Sequence, residues 1–399
     1  MTSANPGLPL AHPEAVGLSV AGVARLKAAF QSEIDRGLLP GCVILIARRG
    51  RIACFEALGQ RDPGTAAAAA PDDIYRIYSM TKPIVSTATM MLFEEGRFLL
   101  TDPIGAYIPE LARLEVGTVG ADGSLERAPA KGAPTIQDLL RHTSGFTYGF
   151  TGTGPINKLY TEEKIDGYRG QSNAELVQKL GQLPLIAEPG TLWAYSVSTD
   201  VLGRLIEVIS GKTLGEFLHE RIFAPLGMAD TGFSVPESRH GRLAEPFPKD
   251  PETGQPVVLH NIRRAPRFES GGGGLASTAL DYARFLQMSL NGGTLDGVRL
   301  LSRKTIEFMT SDHLGTIPGL AASRGPGIGF GLGYSVRLTR GIAAAQGSVG
   351  TYAWGGAAGT RFLVDPSEQL IAVLMNQAPW RRLHYTPLFA NLVYGCFAD

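Results

Sequence analysis

The first strong pattern of apolar positions in the chain has helical spacing. It covers residues 18–37 and places Leu26 and Phe30 on the apolar face of a predicted helix. Two apolar runs follow at residues 42–47 and 52–58, with only a short polar turn between them. Two such runs joined by a tight turn predict a β-hairpin.

The middle of the chain favours helices, and its last quarter favours strands. Helices are predicted at residues 79–96, 135–140, 174–183, 199–210 and 214–222. The polar stretch 236–266 is predicted to be an irregular, exposed loop. A helix at 277–290 is then followed by predicted strands at 330–338, 348–354, 360–364 and 370–376 and a terminal helix at 388–394.

Neither end of the chain supplies enough strands for a sheet of its own. The economical arrangement is one antiparallel sheet built from both ends and flanked by the terminal helices, an α/β (α+β) fold. Residues 1–80 and 270–399 would form this sheet domain. Residues 81–269 would form a mostly helical inserted domain, with a site between the two.

Composition narrows the function classes. The chain has 399 residues, 44% of them hydrophobic, and its 37 Lys and Arg balance 37 Asp and Glu. Such a chain forms a core and is a poor candidate for nucleic-acid binding. We find no apolar run long enough for a membrane span and no signal-peptide pattern, so we expect a cytoplasmic protein. Three cysteines without paired spacing, and histidines without ligand spacing, predict neither a disulfide framework nor a metal site.

The sharpest chemical motif is Ser79-Met80-Thr81-Lys82, which opens a predicted helix. Residues three apart lie on one helix face, so the Lys82 amine is placed within reach of the Ser79 hydroxyl. A serine is a weak nucleophile until a base takes its proton, and a lysine can be that base. The backbone N–H groups at a helix start also favour a developing oxyanion.

Two further motifs fit the same chemistry. Tyr195-Ser196-Val197 begins another predicted helix, and Tyr195 can act as a second proton-transfer group. Trp354-Gly355-Gly356 follows a predicted strand, and glycines there indicate close approach of a ligand or another backbone segment. The N–H of a following residue can supply a second oxyanion donor.

The order of these motifs resembles the superfamily of serine β-lactamases and penicillin-binding proteins. The segment 139–145 (LLRHTSG) and the glycine run that ends at residue 274 fit the resemblance. Class C β-lactamases carry Asn at the position of Val197 and Lys-Thr-Gly at the position of Trp354-Gly355-Gly356. Both departures weaken β-lactam recognition. They make the chain most similar to the β-lactamase-like carboxylesterases of family VIII and to related acyltransferases.

The resemblance implies a serine carboxylesterase for short-chain or bulky esters, with weak cephalosporin hydrolysis as a side activity. It implies catalysis by Ser79, Lys82 and Tyr195, and an oxyanion hole formed by Ser79 and Ala357. The expected substrate-binding residues are Trp354, Gly355, Gly356, Val197, Phe146 and Tyr148, with Phe150 and Tyr160 as further aromatic candidates. No cofactor or metal is implied. The expected partner is a small-molecule ester, without nucleic acid or membrane.

Several alternatives stay open from the sequence. A Ser-His-Asp hydrolase would show G-x-S-x-G, which this chain lacks, so His142 is predicted to be structural. A class C-like β-lactamase, an acyltransferase and a penicillin-binding sensor without turnover remain alternatives to the esterase. The natural ester, the oligomeric state and the immediate base, Lys82 or Tyr195, are not determined by the sequence.

Overall fold

Strands from both ends of the chain meet in one sheet. The computed structural model describes residues 8–165, 167 and 170–398. The strands in these residues are β1 (Gly41–Arg48), β2 (Arg51–Asp62), β3 (Ala67–Ala68), β4 (Tyr75–Arg76), β5 (Glu115–Val119), β6 (Leu125–Pro129), β7 (Ala276–Ser277), β8 (Thr294–Leu295), β9 (Val298–Arg299), β10 (Ile328–Phe330), β11 (Ser335–Arg337), β12 (Tyr352–Gly355), β13 (Arg361–Asp365) and β14 (Leu370–Asn376).

The main sheet of the described residues has eight strands in the order β10-β11-β12-β13-β14-β1-β2-β3, with antiparallel pairing throughout. The N-terminal hairpin β1–β2 therefore joins the C-terminal meander through the pairing of β1 with β14. This confirms the predicted fold, an antiparallel sheet assembled from both chain ends.

Helices cover this sheet and fill the middle of the chain. They are α1 (Val20–Asp35), α2 (Thr81–Glu94), α3 (Ile136–Leu140), α4 (Pro155–Glu162), α5 (Asn173–Leu180), α6 (Ser198–Ser210), α7 (Leu214–Leu218), α8 (Ala279–Leu290), α9 (Arg303–Met309), α10 (Leu320–Arg324) and α11 (Arg382–Tyr394). None of the described helices is long and apolar enough to cross a membrane.

Strand β1 is buried on both faces because helices lie on both sides of it. Successive side chains of a strand point to opposite faces. Ile44 belongs to the core cluster that contains Phe30 of α1 and Phe389 of α11. Val43 belongs to the larger cluster that contains Phe285 of α8. The uninterrupted apolar run of β1 is the sequence signal of this double burial.

The segment between β4 and β7 carries helices α2 to α7, and α2 packs on α6. It also contains the antiparallel hairpin β5–β6, which the periodicity did not predict. The division into a sheet domain and an inserted domain at residues 80 and 270 stays a prediction.

Some predicted elements differ in their bounds. The single strand predicted at 330–338 is two strands, β10 and β11, joined by a turn in which Gly333 has a φ of 97°. Glycine adopts this left-handed conformation without steric cost, which allows the chain to reverse there. The helix predicted at 214–222 ends at Leu218 and continues as a π-helical turn, His219–Phe223. The terminal helix begins earlier than predicted, at Arg382.

Candidate active site

Ser79 lies between a short strand and a helix. Strand β4 pairs with β7, a 3₁₀ turn over Tyr78–Met80 follows, and α2 then begins. Tyr78 has a φ of 43°, a left-handed conformation that costs energy for a residue with a Cβ. Its hydroxyl accepts a hydrogen bond from the His260 N–H at 3.2 Å, which helps to fix this backbone. The strained residue next to Ser79 turns the serine toward a cavity.

Tyr195 contacts the Ser79 hydroxyl directly. Its phenolic O–H donates a hydrogen bond of 2.7 Å to Ser79 Oγ. Other rings hold the Tyr195 ring from several sides: the ring centroid of His142 is 5.0 Å away, and those of Tyr148 and Trp354 are both 5.5 Å away. The structure therefore brings two of the predicted catalytic residues, 116 positions apart in sequence, into contact.

Lys82 is buried, and its ammonium group lies behind Tyr195. Its Nζ donates hydrogen bonds to the Gly272 carbonyl oxygen at 2.7 Å and to the Tyr148 hydroxyl at 3.1 Å. The same Nζ lies 4.5 Å from the centre of the Tyr195 ring. The sequence spacing places the Lys82 amine within reach of the Ser79 hydroxyl. In this geometry Lys82 instead adjoins Tyr195, and Tyr195 adjoins Ser79.

Asp200 is a member of the site that the motif search did not find. It lies in the first turn of α6, is buried, and accepts hydrogen bonds from Ser270 Oγ at 2.6 Å and the Gly272 N–H at 2.9 Å. It also accepts one from the Tyr148 hydroxyl at 3.3 Å. Asp200 thus fixes both groups that receive hydrogen bonds from Lys82. The sequence signal that could have indicated Asp200 is its place as an acidic residue in the first helical turn after the Tyr195 motif.

The glycine run is explained by the same contacts. A Cβ at Gly272 would collide with Asp200 and would lie 2.6 Å from the Tyr148 hydroxyl oxygen. Any side chain at this position would displace the two residues that hold the Lys82 ammonium group. The Gly272 backbone therefore approaches this cluster as closely as only glycine permits.

Two backbone N–H groups are available for an oxyanion. Ser79 and Ala357 both line the cavity, and neither N–H donates a hydrogen bond to another described residue. Gly356 lies against the Ile77 carbonyl oxygen, which brings its neighbour Ala357 beside the Ser79 turn. The turn that follows β12 is closed by a hydrogen bond of 2.8 Å from the Gly356 N–H to the Thr360 carbonyl.

His142 does not face the cavity. It is buried, and its Nδ1 lies 3.1 Å from Ser196 Oγ, which in turn lies 2.7 Å from Ser198 Oγ. Burial, together with the positive charges of Lys82 and Arg324, holds the pKa of His142 well below its usual value. A neutral histidine fixed to Ser196 supports the Tyr195 segment, in line with the structural role predicted for it.

The cavity in front of Ser79 has a volume of about 520 Å³. Its lining includes the predicted residues Tyr148, Gly355 and Gly356, and also Phe150, whose ring stacks on Tyr148 at 4.7 Å.

Four predicted lining residues require correction. Phe146, Tyr160 and Val197 are absent from the described cavity lining, because their side chains are buried in the main hydrophobic core cluster. Trp354 is also buried and absent from the lining. The Arg324 guanidinium carbon lies 4.1 Å above the centre of its ring and separates the indole from the cavity.

The cavity wall carries cations that the sequence motifs did not indicate. Arg324, Arg361 and Arg382 line it, and Asp200 is the acidic residue in the same lining. Burial lowers the pKa of Arg361 to about 10, with a contribution from the charge of Arg324, so Arg361 remains a cation at neutral pH. Three arginines from distant segments have no shared motif, so only the fold could reveal their proximity.

Comparison with known proteins identifies relatives of the whole chain. A model of the family described as Beta-lactamase matches residues 26–392. Protein Rv1367c of Mycobacterium tuberculosis is 37% identical over 364 residues, which cover 88% of this chain and 89% of that protein. Esterase EstB of Burkholderia gladioli is 31% identical over 389 residues, covering 92% of this chain and 94% of the esterase.

A solved structure has the same architecture. The protein described as EstCE1, a hydrolase with promiscuous acyltransferase activity, superposes with a TM-score of 0.79 at 25% identity. The match covers 96% of this chain and all of EstCE1. The relatives reported therefore include a protein described as an esterase and, with the same fold, one described as a hydrolase.

Proposed function

The chain belongs to the Beta-lactamase family, and from that premise we propose that it is a serine carboxylesterase whose acyl-enzyme forms on Ser79. The observation that carries the proposal is the 2.7 Å hydrogen bond from the Tyr195 hydroxyl to Ser79 Oγ, at the wall of a cavity. EstB, a relative at 31% identity, is described as an esterase and supports the same substrate class.

In the proposed first step, Ser79 Oγ attacks the ester carbonyl carbon and its proton passes to the pair formed by Tyr195 and Lys82. To accept this proton the pair must first have lost one of its own, and a Tyr195 phenolate in that form is stabilised by the Lys82 ammonium, whose Nζ lies 4.5 Å from the ring centre. The pair then returns a proton to the leaving alcohol. Water attacks the acyl-enzyme in the second step, with the same pair as base.

The oxyanion formed in each step would accept hydrogen bonds from the Ser79 and Ala357 N–H groups. Both groups lack an acceptor among the described residues and line the cavity. Loss of one oxyanion donor typically lowers kcat by about 10²–10³-fold. Backbone donors also need no reorganisation when the charge appears, which suits a site fixed by the turn at Gly356.

Acyl transfer to an alcohol is a second candidate activity. The acyl-enzyme is common to both reactions, and only the acceptor, water or an alcohol, differs. EstCE1 is described as a hydrolase with promiscuous acyltransferase activity, and this chain shares its fold over nearly its full length. An added alcohol that yields a new ester at the expense of free acid would support this activity.

The test is steady-state hydrolysis of p-nitrophenyl acetate and butyrate beside nitrocefin. We expect fast ester turnover by the wild type, loss of it in Ser79→Ala, and slow or no opening of nitrocefin. Ser311→Ala is the matched control, since Ser311 is exposed and its hydroxyl donates to the Glu307 carbonyl, away from the cavity lining. Ester turnover that survives in Ser79→Ala contradicts the proposal. Faster turnover of nitrocefin than of the esters would favour a β-lactamase.

A further inference from the structure

The described cavity lining contains three arginines and one carboxylate, and that carboxylate is already engaged. Asp200 accepts hydrogen bonds from Tyr148, Ser270 and the Gly272 N–H. Among the described residues, no carboxylate forms an ion pair with Arg324, Arg361 or Arg382. The cavity beside Ser79 therefore has an excess of positive charge that the described part of the chain does not neutralise.

Two of these arginines are placed by specific contacts. The Arg324 guanidinium lies over the Trp354 ring, 4.1 Å from its centre, a stacking geometry that suits a planar cation. Arg361 pairs in register with Gly355 across β12 and β13, and a Cβ at Gly355 would lie 3.7 Å from its Nη1. Both guanidinium groups thus lie along the Trp354-Gly355 segment, which leads directly to the oxyanion donor Ala357.

One donor atom in this pair lacks a partner. The Nε of Arg361 is buried and makes no hydrogen bond to another described residue. The positive charges of Arg361 and Arg324 repel each other, and this repulsion contributes to the lowered pKa of Arg361. A buried donor without an acceptor, next to a second cation, is an arrangement that a bound anion would stabilise.

We propose that Arg324 and Arg361 form a subsite for a carboxylate group of the substrate, so that the preferred esters carry a free acid. The proposal rests on the esterase function proposed above and specifies its substrate class. A guanidinium group presents its donors in a plane that matches the two oxygens of a carboxylate. Arg382 lies exposed at the same cavity and adds positive charge at its rim.

This subsite changes the interpretation of Trp354. Trp354 stands where class C β-lactamases carry the lysine of Lys-Thr-Gly, so the sequence motif indicates no cation at this position. In the structure the Arg324 guanidinium lies over the indole ring, and Arg361 is a second cation in the same cavity lining. Positive charge is therefore present in the cavity although the lysine of the family motif is absent.

The experiment compares matched esters that differ in one charge. On the acyl side, p-nitrophenyl hydrogen glutarate is compared with p-nitrophenyl valerate. On the alcohol side, 4-acetoxybenzoate is compared with its methyl ester. We expect the wild type to prefer the charged member of at least one pair in kcat/KM by about tenfold or more, since a hydrogen bond to a charged group has that effect. The pair that shows the preference identifies which half of the ester carries the acid.

The variants Arg324→Met and Arg361→Met remove the charge and keep an unbranched apolar stem. We expect each to lower kcat/KM on the charged ester by about ten- to a hundredfold, mainly through KM, with little change on the neutral ester. Arg361→Lys retains a cation and should recover part of the preference. Arg299→Gln, an exposed arginine on β9 outside the cavity lining, is the control and should behave as wild type.

A binding measurement separates this proposal from the esterase proposal. Titration calorimetry with 4-acetoxybenzoate is carried out on Ser79→Ala protein, where turnover is absent, with and without Arg361→Met. Weaker binding in the double variant supports the subsite. Equal rates on charged and neutral esters, unaffected by either methionine variant, would overturn it while leaving the esterase intact. Absence of Ser79-dependent hydrolysis of any ester would instead overturn the proposed function.

Discussion

Replacement of Tyr195 by phenylalanine tests the arrangement of the site with the smallest change. It removes one oxygen atom, the donor of the 2.7 Å hydrogen bond to Ser79 Oγ. The ring itself stays, and with it the contacts to Lys82, whose Nζ is 4.5 Å from the ring centre, and to Trp354, whose ring centre is 5.5 Å away. The variant therefore separates proton transfer from packing.

The expected magnitude differs sharply between activity and stability. A positioned acid–base group contributes about 10²–10⁴-fold to the rate, so kcat on p-nitrophenyl butyrate should fall by that factor. Loss of one hydrogen bond typically costs about 1 kcal/mol of stability. The free energy of unfolding of Tyr195→Phe should therefore stay within about that amount of the wild-type value.

The assay is steady-state ester hydrolysis, with urea unfolding of the same samples. Tyr107→Phe is a matched control, because Tyr107 also donates a 2.7 Å hydrogen bond, to Asp102, and is absent from the cavity lining. It should lose similar stability and no activity. A Tyr195→Phe variant within about threefold of wild-type kcat would refute the role of this tyrosine in proton transfer, because acid–base groups contribute far more.

Three further changes test other parts of the structure. Asp200→Asn weakens the charge-assisted bonds that fix the Lys82 surroundings, so kcat should fall roughly tenfold or more with KM nearly unchanged, as steady-state kinetics will show. Gly356→Ala places a methyl group against the Ile77 carbonyl, so both activity and melting temperature should fall, whereas Gly132→Ala, with open space around it, should change neither. Burial raises the pKa of Asp281 from 3.8 to about 6, so the folded state prefers the protonated carboxyl and loses stability as pH rises through that window. Asp281→Asn removes this loss. Urea unfolding should therefore show that the free energy of unfolding of the variant, relative to that of the wild type, increases between pH 3.8 and about 6, with esterase activity unchanged.

The local part of the site was predictable because it depends on short sequence spacing. Ser79 and Lys82 are three residues apart at a helix start, and this spacing alone places them on one face. No hydrogen bond between the Ser79 and Lys82 side chains is present among the described residues. Lys82 instead donates to Gly272, which is 190 positions away in sequence, and helical periodicity carries no information about such a partner.

Burial explains the corrected substrate-binding residues. Phe146 and Val197 lie within or next to catalytic motifs, and their proximity in sequence suggested proximity to substrate. Adjacent residues of an irregular segment point in different directions, so that Tyr148 lines the cavity while Phe146 enters the core. The choice between these directions depends on the packing of the surrounding helices.

The positive charge of the cavity could not be predicted from the sequence, for a different reason. Arg324 lies on a short helix and Arg361 on β13, and neither belongs to a motif. Their convergence depends on how β12 and β13 pair and on where α10 packs against Trp354. A net charge of zero over the whole chain gave no indication of a local excess of arginine.

The measurement that tests the central claim most directly is the mass of the intact protein after a rapid acid quench during turnover of p-nitrophenyl butyrate. The account predicts an adduct of one butyryl group, which peptide analysis maps to Ser79. The adduct is absent in Ser79→Ala, and the fraction of protein that carries it is at least as large when deacylation is slowed. Full turnover without any adduct, or an adduct that persists in Ser79→Ala, would contradict an acyl-enzyme on Ser79.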